Sequence, residues 1–434
     1  MSYTEIIQLK NLGRIEEAYL VAKEQIESGD ADMNLIRTFA LMSKQMIMQY
    51  LVDKQLKDCL KIFANYSLLA DVPAEESGVY SNMTDSLREF VKQINQDTFS
   101  LWDDCFQKIQ SIPLQRAGKG FTFFVKSVLK LKDWQGLNAF AYWCGIEGLH
   151  AEDYEPYKMD NGKSIMALAE QLSIKAAKYL LETNDHDSIL TFIPQLENLY
   201  HTHPRYTYPP YFLTKLYAAV GQTDKAIAIL LPFIRKKSND FWVWQLMAEL
   251  HDEMDTQIMY YCKAIYCGSR KQEMLVSVYA QLANLFHRKQ NYPMARWFVD
   301  ECCKVRQHNG WSISAELQHI TREAWYRNTT AQYDKAFVSD QTKKAEQIAH
   351  ITSKAPRNRP HPNKQEPTVS FTGKIQLNAK GFGFVHDITI GDVFIPQYLA
   401  NQLAHGVEVN GIACKRFDKS KQQWGYAAVK INKL

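Results

Sequence analysis

Lys380-Gly381-Phe382-Gly383-Phe384-Val385, followed closely by Asp392-Val393-Phe394-Ile395-Pro396, is the stretch that decides the C-terminal fold. Side chains of a strand alternate between two faces. Lys380, Phe382 and Phe384 therefore share one face of a first strand, and Asp392, Phe394 and Pro396 one face of a second. Gly381 and Gly383 lie on the opposite parity, where they permit close backbone packing and bending. Val385, Val393 and Ile395 fall on the parity expected of a core. Flat exposed rings beside a lysine suit unpaired bases, because every base has a π-face and stacking contributes about 1–3 kcal/mol per base.

The neighbouring sequence extends this pattern. Gly373-Lys374-Ile375 supplies an earlier strand, and Trp424–Ile431 a closing one. Lys374, Lys380 and the pair Lys415-Arg416 are candidate phosphate contacts, and Phe382, Phe384 and Phe394 are the stacking rings. Trp424 and Tyr426, two apart on the last strand, either widen the platform or pack the core. Over about residues 369–434 these motifs resemble the cold-shock family, small five-stranded barrels of the OB type that bind single-stranded nucleic acid. The Lys-Gly-Phe-Gly-Phe run is similar to the first ribonucleoprotein motif of that family, and Val393-Phe394-Ile395 to the second. Gln376-Leu377-Asn378 stands where bacterial cold-shock proteins carry Lys-Trp-Phe aromatics, and Pro396 replaces the histidine that usually closes the second motif. The short first turn, and Phe-Ile-Pro followed by Ala404-His405-Gly406, resemble more closely the cold-shock modules of exoribonucleases of the RNase R type.

The net charge of +4 over 434 residues is unevenly spread. From Lys354 onward there are 12 Lys/Arg against 5 Asp/Glu, so attraction to phosphate is concentrated where the ring motifs lie. No apolar run approaches the roughly 20 residues that span a bilayer. The N-terminus leads straight into an amphipathic helix without a signal region. A cytoplasmic protein is expected. Cys262 and Cys267, and adjacent Cys302 and Cys303, lack the paired spacing of structural zinc sites and read as small helix residues of a reduced protein.

Ahead of the barrel, apolar residues recur at helical spacing, and from about 207 to 306 the pattern has a period. Pro210, Trp244 and Tyr279 are separated by 34 and 35 residues, as in helix-pair repeats. Leu213, Tyr217, Gly221, Ala226, Leu230 and Phe233 mark a first unit. Trp244, Met247-Ala248, Tyr261 and Ala264 mark a second. Tyr279, Leu282-Ala283, Phe286, Asn291-Tyr292, Ala295, Val299 and Cys302 mark a third. The positions resemble the tetratricopeptide repeat, with Gln290 in place of the turn glycine in the third unit. Leu9, Gly13, Ala18 and Ala22 repeat the offsets at the N-terminus. Helical runs around 33–65, 83–110, 121–146 and 163–183 show no readable register, and an α-solenoid is expected to continue through them. A last helix is expected over Trp311–Arg327. The anticipated division is a helical-repeat domain at 1–327, a basic Pro-containing linker at 328–368 and the barrel at 369–434. The fold class is thus multidomain: mainly α, with a small all-β barrel.

No recognisable catalytic constellation accompanies these domains. Gly162-Lys163-Ser164 is a fragment of a phosphate loop, but Tyr157 stands where the loop needs its first glycine, and the surroundings read as helical. Within Asn184-Asp185-His186-Asp187 a helix cap explains the residues better than a metal site. His201 and His203 read as exposed. Arg116–Phe124 repeats the Lys-Gly-Phe pattern and reads as the packed start of a helix in preference to a base-stacking motif, and His203–Tyr211 as a packed connection between repeats in preference to a loop that contacts RNA or a partner. The expectation is a non-enzymatic adaptor without metal or cofactor. It would hold single-stranded nucleic acid, RNA favoured, on the barrel and a protein partner on the repeats. Two alternatives stay open: a regulatory subunit of a nuclease or helicase complex in RNA turnover or defence against foreign nucleic acid, and a scaffold whose barrel is a docking module.

Overall fold

A computed structural model describes residues 2–73, 75–112, 114–159, 162, 164–268, 272–350, 368–378, 381–400, 403–418 and 423–434. The chain forms two compact units, Met1–Ile351 and Thr352–Leu434. The first is mainly helical and the second is a closed five-stranded barrel.

The helical unit opens with α1 (Tyr3–Asn11), α2 (Ile15–Glu27), α3 (Met33–Val52) and α4 (Leu56–Ala64). It continues through α5 (Ser77–Lys92), α6 (Phe99–Ile109), α7 (Lys119–Val128) and α8 (Leu137–Cys144). A short antiparallel hairpin of β1 (Tyr157–Lys158) and β2 (Ser164–Ile165) precedes α9 (Leu168–Thr183) and α10 (His186–Thr202). Three antiparallel pairs follow: α11 (Pro209–Ala219) with α12 (Thr223–Lys236), α13 (Phe241–Glu249) with α14 (Met254–Gly268), and α15 (Val276–Arg288) with α16 (Tyr292–His308). The second helix of each pair carries a fully buried alanine, Ala226, Ala264 and Ala295 respectively. Without bulk at these positions the partner helices approach closely and their ridges interlock. Aromatics fill the remaining space: Trp244 stacks on Tyr260, and Phe286 lies parallel to Phe298 at 5.7 Å between centroids.

Four helix hairpins are joined by the same three-residue turn. Gly13, Lys54, Gly221 and Gln290 all have φ between 58° and 77°. Each is followed by an N–H that reaches back to the last helical turn: Arg14 to Leu9, Gln55 to Tyr50, Gln222 to Tyr217 and Asn291 to Phe286, at 2.8–3.0 Å. This is the Schellman closure, which satisfies carbonyls left open at a helix end. It also fixes a hairpin, α3–α4, inside the region where the sequence shows no register. A side chain with positive φ costs about 1 kcal/mol relative to glycine. Gln290→Gly is therefore expected to raise the urea midpoint of the helical unit by an equivalent of about 0.5–1 kcal/mol. An unchanged or lowered midpoint would show that the Gln290 side chain compensates for its backbone.

Four features of the helical unit differ from the sequence expectation. The run expected to be helical from 163 starts at Leu168, and the residues before it form the β1–β2 hairpin. Lys163 lies outside the described residues. The single helix expected over 311–327 is broken into α17 (Ala315–Ile320) and α18 (Ala324–Asn328), because Glu323 between them is extended at ψ 149°. The third difference concerns residues 328–350, expected as linker. They contain α19 (Lys335–Ile348), whose Val338, Thr342 and Ala345 are buried against the helical body. Lys263 on α14, only 3% exposed, pairs with Glu346 on α19 at 2.5 Å, and Arg235 donates to the Ala349 carbonyl at 3.0 Å. The proline-rich stretch 355–362 lies outside the described residues. His203, the fourth difference, is not exposed. It is sandwiched between the rings of Tyr154 and Tyr206 at 5.3 and 5.1 Å.

The connection 203–211 is packed except at Pro204 and Arg205, which are exposed. Tyr206 donates to the Tyr154 carbonyl at 2.7 Å, and the buried Glu170 carboxylate accepts from the Thr207 and Tyr208 amides. Phe121 and Phe124 of α7 are buried in a cluster with Trp102, Phe140 and Trp143, so these two rings of the 116–124 motif build core, whereas Phe123 is exposed. Asp185 caps α10 by accepting from the Ser188 amide at 3.2 Å. Cys262 and Cys302 are fully buried, and burial pushes the Cys302 thiol up to about 12.

In the barrel unit β3 (Val369–Leu377), β4 (Gly383–Asp387) and β5 (Gly391–Ile395) form an antiparallel meander. β6 (Glu408–Asp418) and β7 (Gln423–Lys433) form a long antiparallel ribbon. The sheet closes where β3 pairs antiparallel with β6 and β5 pairs parallel with β7, giving the order β3-β4-β5-β7-β6. Phe371, Ile375, Val385, Val393, Ile395, Val409, Ala413 and Ala428 fill the interior. Gly373 is required by the close approach of β3 to β4: a Cβ there would lie 2.7 Å from the His386 carbonyl oxygen.

Candidate nucleic-acid interface

Alternation along β4 and β5 separates core from surface as the sequence predicts. Val385, Val393 and Ile395 are fully buried, whereas Phe382 and Phe384 are half-buried and Phe394 is 37% exposed. Phe384 and Phe394 are cross-strand partners. The three ring centroids are 5.6–5.8 Å apart, with interplanar angles of 85°, 48° and 61°. Phe384 meets each of the other two rings edge-on, Phe382 and Phe394 are mutually tilted, and the three form one compact apolar patch on the outside of the barrel.

β3 brings polar groups to the same surface. Ile375 faces inward opposite Val385, which leaves Lys374 and Gln376 on the outer face, both exposed, with Gln376 paired to Phe384. Beyond the rings His386 and Asp392, another cross-strand pair, are joined by a 2.7 Å hydrogen bond. The outer face thus presents a row of Gln376, Phe384 and Phe394 beside a row containing Lys374, His386 and Asp392. Sequence reasoning omitted Gln376 and His386, although strand parity places both on the face of Phe384.

Two expected members are differently placed. Tyr426 is aligned with Val393 and packs against the barrel core, so it does not extend the ring surface. Lys415 is exposed but aligned with Tyr426, on the face opposite that of Phe394, because adjacent strand residues point to opposite sides. Arg416 and Trp424 are placed on β6 and β7 by their backbones, opposite Gly425 and Phe417, and their side chains lie outside the described residues. Lys380 also lies outside them.

The two turns that present the rings are locked by specific groups. Gly381 has φ +82°, and its N–H donates to the Asn378 carbonyl at 2.9 Å. The β4–β5 turn is organised by Asp387, whose buried carboxylate accepts from the amides of Thr372 (2.7 Å), Thr389 (2.8 Å) and Ile390 (3.2 Å). These backbone hydrogen bonds, first from Thr372 and then from Thr389, hold the Asp387 carboxyl below its ordinary value. A carboxyl whose folded pKa is lowered stabilises the fold above its unfolded pKa, about 3.9. That contribution is lost as the pH falls through the folded value. Hydrogen-exchange protection of the Thr372 and Thr389 amides should therefore drop in acid below about pH 4. Asp387→Asn should show reduced protection already at pH 7. Equal protection in both proteins at neutral pH would remove Asp387 from this role.

Residues 369–431 match the S1/CSD-like domain 2 of the TOTE conflict systems. With the closed five-stranded barrel, this match supports a C-terminal domain of the cold-shock/OB type. Residues 207–345, which run from the start of α11 almost to the end of α19, match a domain of unknown function, DUF7017. That match continues past 327, in keeping with the docking of α19 on the helical body. A search of curated proteins finds no match to the chain. Among the described residues no helix is long and apolar enough to cross a membrane.

Proposed function

We propose that the chain is a non-catalytic adaptor that holds single-stranded nucleic acid, RNA in preference to DNA, on the ring face of its barrel. The partly exposed triad of Phe382, Phe384 and Phe394 carries this reading, since an apolar patch of rings at the surface beside a lysine suits the flat faces of bases. The S1/CSD-like match supports it. The helix pairs, read as divergent tetratricopeptide-like repeats, would offer their surface to a protein partner. The match to a domain of conflict systems favours a more specific version. In that version the chain is a regulatory subunit of a nuclease- or helicase-containing complex acting on foreign nucleic acid.

The test is a fluorescence titration of the full chain with short single-stranded RNA and DNA over a series of salt concentrations. Each neutralised phosphate contributes about 0.7 to the slope of log affinity against log salt. Lys374→Ala is expected to flatten the slope by about that amount, and Lys415→Ala to leave it unchanged. Absence of measurable binding at low salt would sink the proposal and favour a barrel that docks on protein.

A further inference from the structure

Stacking on the three rings does not discriminate between bases, but Gln376, the residue at the edge of the ring row, carries hydrogen-bonding groups that do. It stands directly across from Phe384, is exposed, and its carboxamide makes no hydrogen bond to any described residue. Directly paired residues on one face have Cβ atoms about 4.5–5.5 Å apart. A base seated on Phe384 therefore has its edge within reach of the Gln376 amide. At the other end of the patch the Gln397 side chain lies over Gly381, where a Cβ would come within 2.9 Å of Nε2. The apolar patch is thus flanked by neutral amides, and the charged Lys374 is one strand step away, on the same face as Gln376. Charge would bind any phosphate alike. A carboxamide presents one donor and one acceptor side by side, a pattern that matches the N6–H and N7 of adenine.

Resting on the nucleic-acid reading above, we propose that Gln376 is a specificity-determining residue that selects adenine at the Phe384 stacking position. The amide oxygen would accept from N6–H, and the amide nitrogen would donate to N7. One such bidentate contact corresponds to roughly tenfold discrimination.

The experiment compares the full chain and its Gln376→Leu variant by titration with fluorescent oligo(A), oligo(U), oligo(C) and an oligo(A) containing 7-deazaadenine, which lacks N7. The expected result is roughly tenfold tighter binding of oligo(A) by the wild-type chain. That preference should fall to less than about twofold in Gln376→Leu or with 7-deazaadenine. The variant should keep its thermal melt, since Gln376 is exposed and outside the core, and should lose about tenfold more affinity for oligo(A) than for oligo(U). Equal affinity of the wild-type chain for all three homopolymers overturns the proposal while leaving nucleic-acid binding in place. Retention of the adenine preference by Gln376→Leu, or with 7-deazaadenine, also overturns it. Failure of every oligonucleotide to bind instead removes the reading on which it rests.

Discussion

Glu346→Ala is expected to destabilise the docking of α19 by about 3–5 kcal/mol, because it leaves the Lys263 ammonium buried without a counter-charge. Lys263 sits between the rings of Trp244 and Tyr266, at 5.6 and 4.7 Å from their centroids, and among the described residues only Glu346 pairs with it as an anion. The loss should appear as rapid hydrogen exchange and proteolytic cleavage along 335–350. Replacing both partners, as Lys263→Met with Glu346→Leu, should restore stability to within about 1 kcal/mol, since a packed apolar pair carries no desolvation cost. A single variant that protects α19 as well as wild type would show that the pair is incidental to the docking.

The second large effect separates core from surface in the barrel. Ile395 is fully buried, and its truncation to Ala should cost about 2–5 kcal/mol of barrel stability. Phe384→Ala should weaken binding of a single strand by about 1–3 kcal/mol through the lost stacking contact. It should also cost the barrel some stability, because Phe384 contacts two other rings, each such pair contributing about 0.5–1.5 kcal/mol. Melts and titrations on both variants decide the matter. A Phe384→Ala protein that binds normally once folded would show that the ring is packing alone, and the proposed interface would fail.

The ring face was legible because strand parity is strict: one residue of slip would have buried every ring and exposed Val385 and Ile395. The helix pairs of α11–α16 were legible because their small and aromatic positions recur. The α3–α4 hairpin was hidden because Lys54 occupies the left-handed turn position that glycine marks elsewhere. The helix α19 was hidden for a different reason. Its buried face is made of Val338, Thr342 and Ala345, residues too small or polar to stand out as a hydrophobic stripe. Lys415 and Arg416 are adjacent on β6, and a strand sends neighbours to opposite faces, so the two cannot form one charged patch on the ring face.

The rings Phe382, Phe384 and Phe394 all belong to one strand–turn–strand segment, residues 381–395, whose bend is tied by Asp387. Contacts this local form on the timescale of a hairpin, microseconds, well ahead of the distant pairings of β3 with β6 and β5 with β7 that close the barrel. During synthesis the rings would come together before the closing ribbon has left the ribosome, so an unfinished chain already displays an apolar patch. The same locality makes the surface transplantable. Another barrel of this strand order could acquire the rings by exchange of that single hairpin, provided its first strand supplied the counterparts of Lys374 and Gln376.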